Sequence, residues 1–149
     1  MSNPVAPRGS KNVGLAYVPA AGFFANPAQS PQFYDASANL AATLTAMAGC
    51  DAKWPGYADL QRGDDWIRGS MAMSIINTVC TPNERNWTYC SGVGGSQATF
   101  SNAGSYHSGG VNTMMGDASV RFIKNAISRA IWMALGTKAN GEVISADAY

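Results

Sequence analysis

Histidine occurs once in the 149 residues, at His107, and cysteine three times, at Cys50, Cys80 and Cys90, with no C-x-x-C pair among them. Zinc centres are built from about four such ligands at short spacings, so the sequence argues against one. Charge is equally scarce: charged side chains make up 13% of the chain and the formal net charge is +1. That balance gives no field for displacing counterions from phosphates, which excludes nucleic acid as an expected partner. No long hydrophobic run is present either. The longest, "NVGLAYVPAAGFFANP" from Asn12 to Pro27, is broken by Pro19 and is too short to span a bilayer. The opening "MSNPVAPRGSKN" leads into no uninterrupted apolar segment, so it does not read as a signal peptide.

What is abundant is small and neutral. Gly, Ala, Ser, Asn and Thr dominate, which implies a hydroxyl- and amide-rich surface of the extracellular or cell-surface kind. A chain of this length buries roughly 68–70% of its unfolded surface as one domain. Residues 1–34 hold five of the seven prolines and read as an extended arm, with "VGLAYV" its one strand-like run. Leu15, Tyr17, Val18, Phe23 and Phe24 make that arm apolar. It either packs on its own domain or docks on a neighbouring subunit as an added strand.

Residues 35–149 read as a single globular domain. "DASANLAATLTAMAGC" predicts a helix capped by Asp35 or Ser37, burying Leu40, Leu44 and Met47 and stopping at Gly49. "SMAMSIINTV" predicts a strand with Met71, Met73 and Ile75 on one face, and the Pro-, Gly- and Ser-rich stretch from Cys80 to Ser105 predicts a long loop. "GVNTMM" and "SVRFI" predict a hairpin turning at Gly116-Asp117-Ala118, with Asp117 accepting a backbone amide two residues on. "NAISRAIWMALG" predicts a second helix capped by Asn125, burying Ile127, Ala130, Ile131, Ala134 and Leu135 and stopped by Gly136; a turn at Asn140-Gly141 and a short strand end the chain. The fold class is therefore α+β, with an antiparallel sheet of hairpins packed against two or three helices.

Little in this inventory performs chemistry. Acid–base catalysis uses histidine or paired carboxylates, and the adjacent Asp64 and Asp65 fit a solvated turn better than a catalytic pair. Ser105, Ser108, His107 and Asp117 supply triad residue types, but the elbow pattern G-x-S-x-G is missing. The sequence thus predicts no enzyme and no cofactor. Calcium on Asp117, Asp64 or Asp147 is the one metal reading the acids leave open, without EF-hand spacing to support it. The imidazole of His107 is expected to cap a strand end or bond a loop carbonyl. Trp54, Trp66 and Trp87 lie in turn-rich segments, where they serve either as core anchors or as stacking faces for glycans. A carbohydrate-binding or carbohydrate-acting module is accordingly the rival functional class. "NWT" at Asn86 to Thr88 is an N-glycosylation sequon.

The segment "SYHSGGVNTMMGDASVRFIKNAIS" and its continuation "WMALGTKANGEVISADAY" resemble the C-terminal signature of a large pilin-like bacterial family, related to pseudopilins and abundant in planctomycetes. Its hallmark is His, nine residues, then Asp-Gly. Ser105, His107, Gly109, Gly110, Val111, Asn112, Asp117, Ser119, Val120, Phe122 and Ile123 carry the match. Ser108 stands where proline is usual and Ala118 where glycine is usual, so an alanine occupies the turn position that favours φ > 0. Upstream, Asn77, Thr78, Pro82, Asn83 and Cys90 fit the family's preceding block, and the likeness spans about residues 50–149.

The resemblance implies a secreted, non-enzymatic subunit that polymerises with copies of itself into a filament or surface layer. Family members typically open with a prepilin leader and a long apolar helix. Neither is seen here, which implies a processed form or one in which the arm of residues 1–34 takes the helix's place between subunits. It also implies a Cys50–Cys90 disulfide, since those two lie near positions where the family often has cysteine while Cys80 falls where an apolar residue is usual.

Overall fold

A computed structural model of the chain describes residues 14–16, 36–53, 58–59, 67, 75–87, 89–91, 99–137, 141–145 and 147–148. Strand β1 (Gly14–Ala16) is followed by helix α1 (Leu40–Lys53), short strands β2 (Ala58–Asp59), β3 (Tyr89–Ser91) and β4 (Thr99–Ser101), the hairpin β5 (Gly110–Met114) and β6 (Val120–Lys124), and helix α2 (Arg129–Leu135). The class is α+β, as the sequence predicts. Four strands form one sheet in the order β2-β1-β3-β4, and β5 and β6 form a second. Every pairing is antiparallel except β1 with β3, which is parallel.

Several local expectations change. α1 runs through Gly49 to Lys53, and its buried side is Thr43, Ala46, Met47 and Cys50, whereas Leu40 and Leu44 are each 38% exposed. The disulfide at Cys50 fixes the helix's rotation and overrides the leucine spacing. The expected strand around Met71, Met73 and Ile75 is described only from Ile75, a single bridge residue followed by bends. Conversely, the expected loop from Cys80 to Ser105 contains β3 and β4, whose three-residue lengths leave no alternation to read. α2 is capped by Ser128, whose Oγ accepts from the Ile131 N–H at 3.3 Å, and not by Asn125. Its deepest side chain is Trp132, while Ala130 is exposed. Gly136 does end α2, and residues 141–145 form no strand. The cap Asp35 and residues Tyr17, Val18, Phe23 and Phe24 lie outside the described residues.

Two cores result. One gathers Met47, Cys50, Cys80, Trp87, Cys90 and Phe100 around the Cys50–Cys90 disulfide, which closes a 40-residue separation and matches the expected pairing. The other gathers Ala103, Val111, Ile123, Ile127 and Trp132 under the hairpin. The segment from Val79 to Arg85 lies between them. Trp132 donates its indole N–H to the Cys80 carbonyl at 2.7 Å, and Arg129 reaches the Val79 carbonyl.

Candidate functional site

The hairpin and the segment leading into it are held by a turn upstream of them. Thr81-Pro82-Asn83-Glu84 closes through Glu84 N–H to Thr81 C=O at 3.1 Å, with Asn83 at φ +56°. Proline at the second position and asparagine at positive φ in the third are the residues a type II turn demands. The turn aims the Asn83 side chain at Ser105 and Asn125, on either side of the hairpin. Its Oδ1 accepts from the Ser105 N–H at 2.8 Å, its Nδ2 donates to Asn125 Oδ1 at 2.9 Å, and its own N–H donates to the Ala103 carbonyl at 2.8 Å. Asn125 in turn donates its N–H to the Gly109 carbonyl at 2.7 Å. Asn125 is thus a clasp between the start and the end of the hairpin.

The same turn presents Glu84. Its carboxylate accepts from the Thr81 N–H at 2.8 Å and from Arg85 at 2.8 Å, and it pairs with Arg129 of α2. Burial pushes the Glu84 carboxyl up, but the hydrogen bond from Arg129, that from Thr81 and the charge of Arg85 outweigh it, and the group sits below its ordinary value. Arg85 continues the chain of charges to Asp51 of α1, whose Oδ1 also accepts the Trp87 indole N–H at 2.9 Å.

Gly109 and Gly110 both have steric reasons. Gly109 lies at φ +84°. A Cβ on Gly110 would stand 2.2 Å from the Ile123 carbonyl oxygen and 2.8 Å from Phe122 Cζ, so the bare backbone lets the Phe122 ring lie across it. At the far end Asp117 accepts the Ser119 N–H at 2.9 Å, the expected Asx turn, and contact with Ser119, hydroxyl first and then backbone, holds its carboxyl below the usual carboxylate range. Ala118 adopts φ +65° there. The turn thus holds an alanine in the left-handed region that favours glycine.

His107 is exposed, its N–H donates to Ser105 Oγ at 3.1 Å, and its imidazole bonds no residue among those described. Of the hairpin's two faces, Val111 and Ile123 are buried. The opposite face carries Asn112 across from Phe122 and Met114 across from Val120, with Met114 75%, Val120 66% and Phe122 45% exposed.

Among the other sites predicted from sequence, Trp87 is 1% exposed within the disulfide core and offers no face to a sugar. Its indole N–H satisfies Asp51, which is why it folds inward. Trp54 and Trp66 lie outside the described residues, as does Asp64. No group of three or more metal-ligating side chains gathers among the described residues, and Asp147 is engaged with Ser145. No helix is long and apolar enough to cross a membrane among them. Leu15 belongs to β1, whose two edges are taken by β2 and β3 of the same chain. Among the described residues β1 is thus an inner strand of its own chain's sheet, and the rest of the arm, with Tyr17, Val18, Phe23 and Phe24, lies outside them.

An open groove of about 480 Å³ runs between the turn before α1, Thr78–Val79 and α2, with Met133 and Glu142 on its walls. Sequence reasoning missed both this groove and the Glu84 hub. The hub had a signal in the T-P-N-E turn; the groove, assembled from three distant segments, had none.

A family model described as "Protein of unknown function (DUF1559)" matches residues 23–130. That span includes the whole hairpin and its clasp, begins inside the proline-rich segment and ends at the start of α2. No curated protein and no solved structure matches the chain.

Proposed function

This chain belongs to the DUF1559 family, and from that premise we propose that it is a secreted, non-enzymatic, pilin-like structural subunit that self-assembles into an extracellular filament or surface layer. The observation that carries the reading is the outward face of the hairpin, where Met114, Val120 and Phe122 stand side by side in solvent. Three neighbouring apolar side chains on one strand pair favour a contact surface over a solvated one. The signature thus serves to build and hold that face, through Gly110 under Phe122 and the Asn83–Asn125 clasp behind it.

The titratable groups of the region support a structural role. Glu84 is neutralised by two guanidiniums, Asp117 accepts the Ser119 N–H of its turn, and the His107 imidazole bonds no carboxylate among the described residues. A disulfide within the core favours an oxidising compartment. Negative-stain microscopy and sedimentation of the purified chain over a concentration series test the proposal. Filaments, sheets or concentration-dependent oligomers are the expected result; a monodisperse monomer at every concentration refutes it.

A further inference from the structure

We infer that two copies of this chain pair through the outer faces of their β5–β6 hairpins, related by a two-fold axis. This rests on the self-assembly reading above and specifies its elementary contact.

The face is polar at both ends and apolar between, with opposite signs at the ends. Its cross-strand rows are Gly110 with Lys124, Asn112 with Phe122, and Met114 with Val120, and beyond the last row lies the turn bearing Asp117. Lys124 is exposed, with no carboxylate paired to it among the described residues. Asp117 is exposed and ionised well below neutral pH. Arg121 belongs to the other row set, across from Thr113. At the rise of a strand, Val120 to Lys124 spans about 13 Å, and the turn adds a few Å more.

Two such faces laid on each other antiparallel bring Lys124 of one copy against Asp117 of the other, at both ends at once. The axis then passes near Phe122 and Val120. Each Phe122 ring meets the Met114 and Val120 of the opposing copy, a sulfur–aromatic and aliphatic contact suited to the mobile thioether. A two-fold contact requires a patch complementary to itself, and this one is. The parallel arrangement, by contrast, would set Lys124 against Lys124 and Asp117 against Asp117. A formal net charge of +1 adds little long-range repulsion between copies. The patch is small beside the roughly 800 Å² per partner of a standard interface, so the pairing is weak in isolation and is reinforced when other contacts of an assembly hold subunits together.

The test is sedimentation equilibrium of the full, disulfide-intact chain, with near-ultraviolet circular dichroism to confirm that each variant is folded. Lys124→Glu is expected to weaken self-association about tenfold by setting two carboxylates together at each end. Adding Asp117→Asn to Lys124→Glu recovers part of the loss, because the amide oxygen still accepts the Ser119 N–H and the two carboxylates no longer face each other. Phe122→Ser abolishes pairing. Self-association that is unchanged in all three variants overturns the hairpin contact and leaves self-assembly standing through another surface. A wild-type chain that stays monomeric to about 1 mM overturns both.

Discussion

The half of the molecule around the disulfide and the half around the hairpin are held by different kinds of contact. In the first, β1 pairs with strands more than forty residues away, α1 is fastened by Cys50–Cys90, and no strand exceeds three residues. Its order is bought by one covalent link across long chain separations. The second is local: β5 and β6 pair through five successive registers across a short turn, and α2 follows within five residues. Local contacts close small loops at little entropic cost, whereas distant ones need a larger compensating term. The hairpin half exposes a contiguous apolar row, Met114, Val120 and Phe122, whereas the disulfide half exposes Leu40 and Leu44 along one side of α1.

Removing the cross-link is the strongest way to break that contrast. Cys50→Ala with Cys90→Ala frees a loop of about 40 residues and is expected to cost about 4 kcal/mol by loop-closure entropy. Urea unfolding gives the loss, and amide exchange should show β3, β4 and α1 losing protection while β5 and β6 keep most of theirs. Equal loss in both halves would mean that they unfold as one unit.

Glu84 joins the halves, pairing with Arg129 on one side and with Arg85 on the other, which continues to Asp51. Glu84→Gln leaves the mostly buried Arg129 guanidinium without its counter-charge, while Arg85 keeps Asp51, at an expected cost of about 2–3 kcal/mol. The wild type should also carry a matching acid dependence. Because the folded carboxyl titrates below its ordinary value of 4.5, the unfolded chain binds the proton first. The contribution is thus fully present above pH 4.5 and drains away as pH falls through the lower folded value. Chemical denaturation at several acidic pH values should show a shallower decline in Glu84→Gln than in the wild type.

The remaining two changes probe the hairpin alone. Ala118→Gly relieves an L-residue at φ +65° and, after the entropy of the added glycine is subtracted, should stabilise the chain by about 0.5–1 kcal/mol. His107→Ala is the smallest, within about 0.5 kcal/mol, since the exposed ring bonds no described residue. A larger drop in melting temperature for His107→Ala would show that the imidazole has a structural partner after all.

The same contrast decides what could be read in advance. The hairpin, its Asx turn and the stop at Gly136 follow from a few adjacent residues, and all three appear where the sequence predicts them. Gly136 carries a further reason that is not local: a Cβ there would stand 2.1 Å from Thr78 Oγ1. The rotation of α1 was not legible, because Leu40 and Leu44 look like a core stripe until Cys50 is tied to Cys90. Nor were β3 and β4, which are too short to alternate and exist as rungs between distant segments. Trp87 was legible only in its alternatives, and its partner, Asp51, chose between them. The outward face of the hairpin was implicit in the alternation itself, yet the spacing alone did not mark Met114, Val120 and Phe122 as the solvent side.

Cys80 gives the molecule a clock. Its thiol is fully buried in the same core as the Cys50–Cys90 bond, and burial, reinforced by Glu84, pushes its pKa up to about 12. At neutral pH such a thiol stays protonated, and the protonated form is a poor nucleophile toward the neighbouring cross-link. Opening restores an ordinary thiol and with it the freedom to trade partners. The fidelity of the cross-link is then set by how rarely the chain opens, and the proposed assembly would age at that rate.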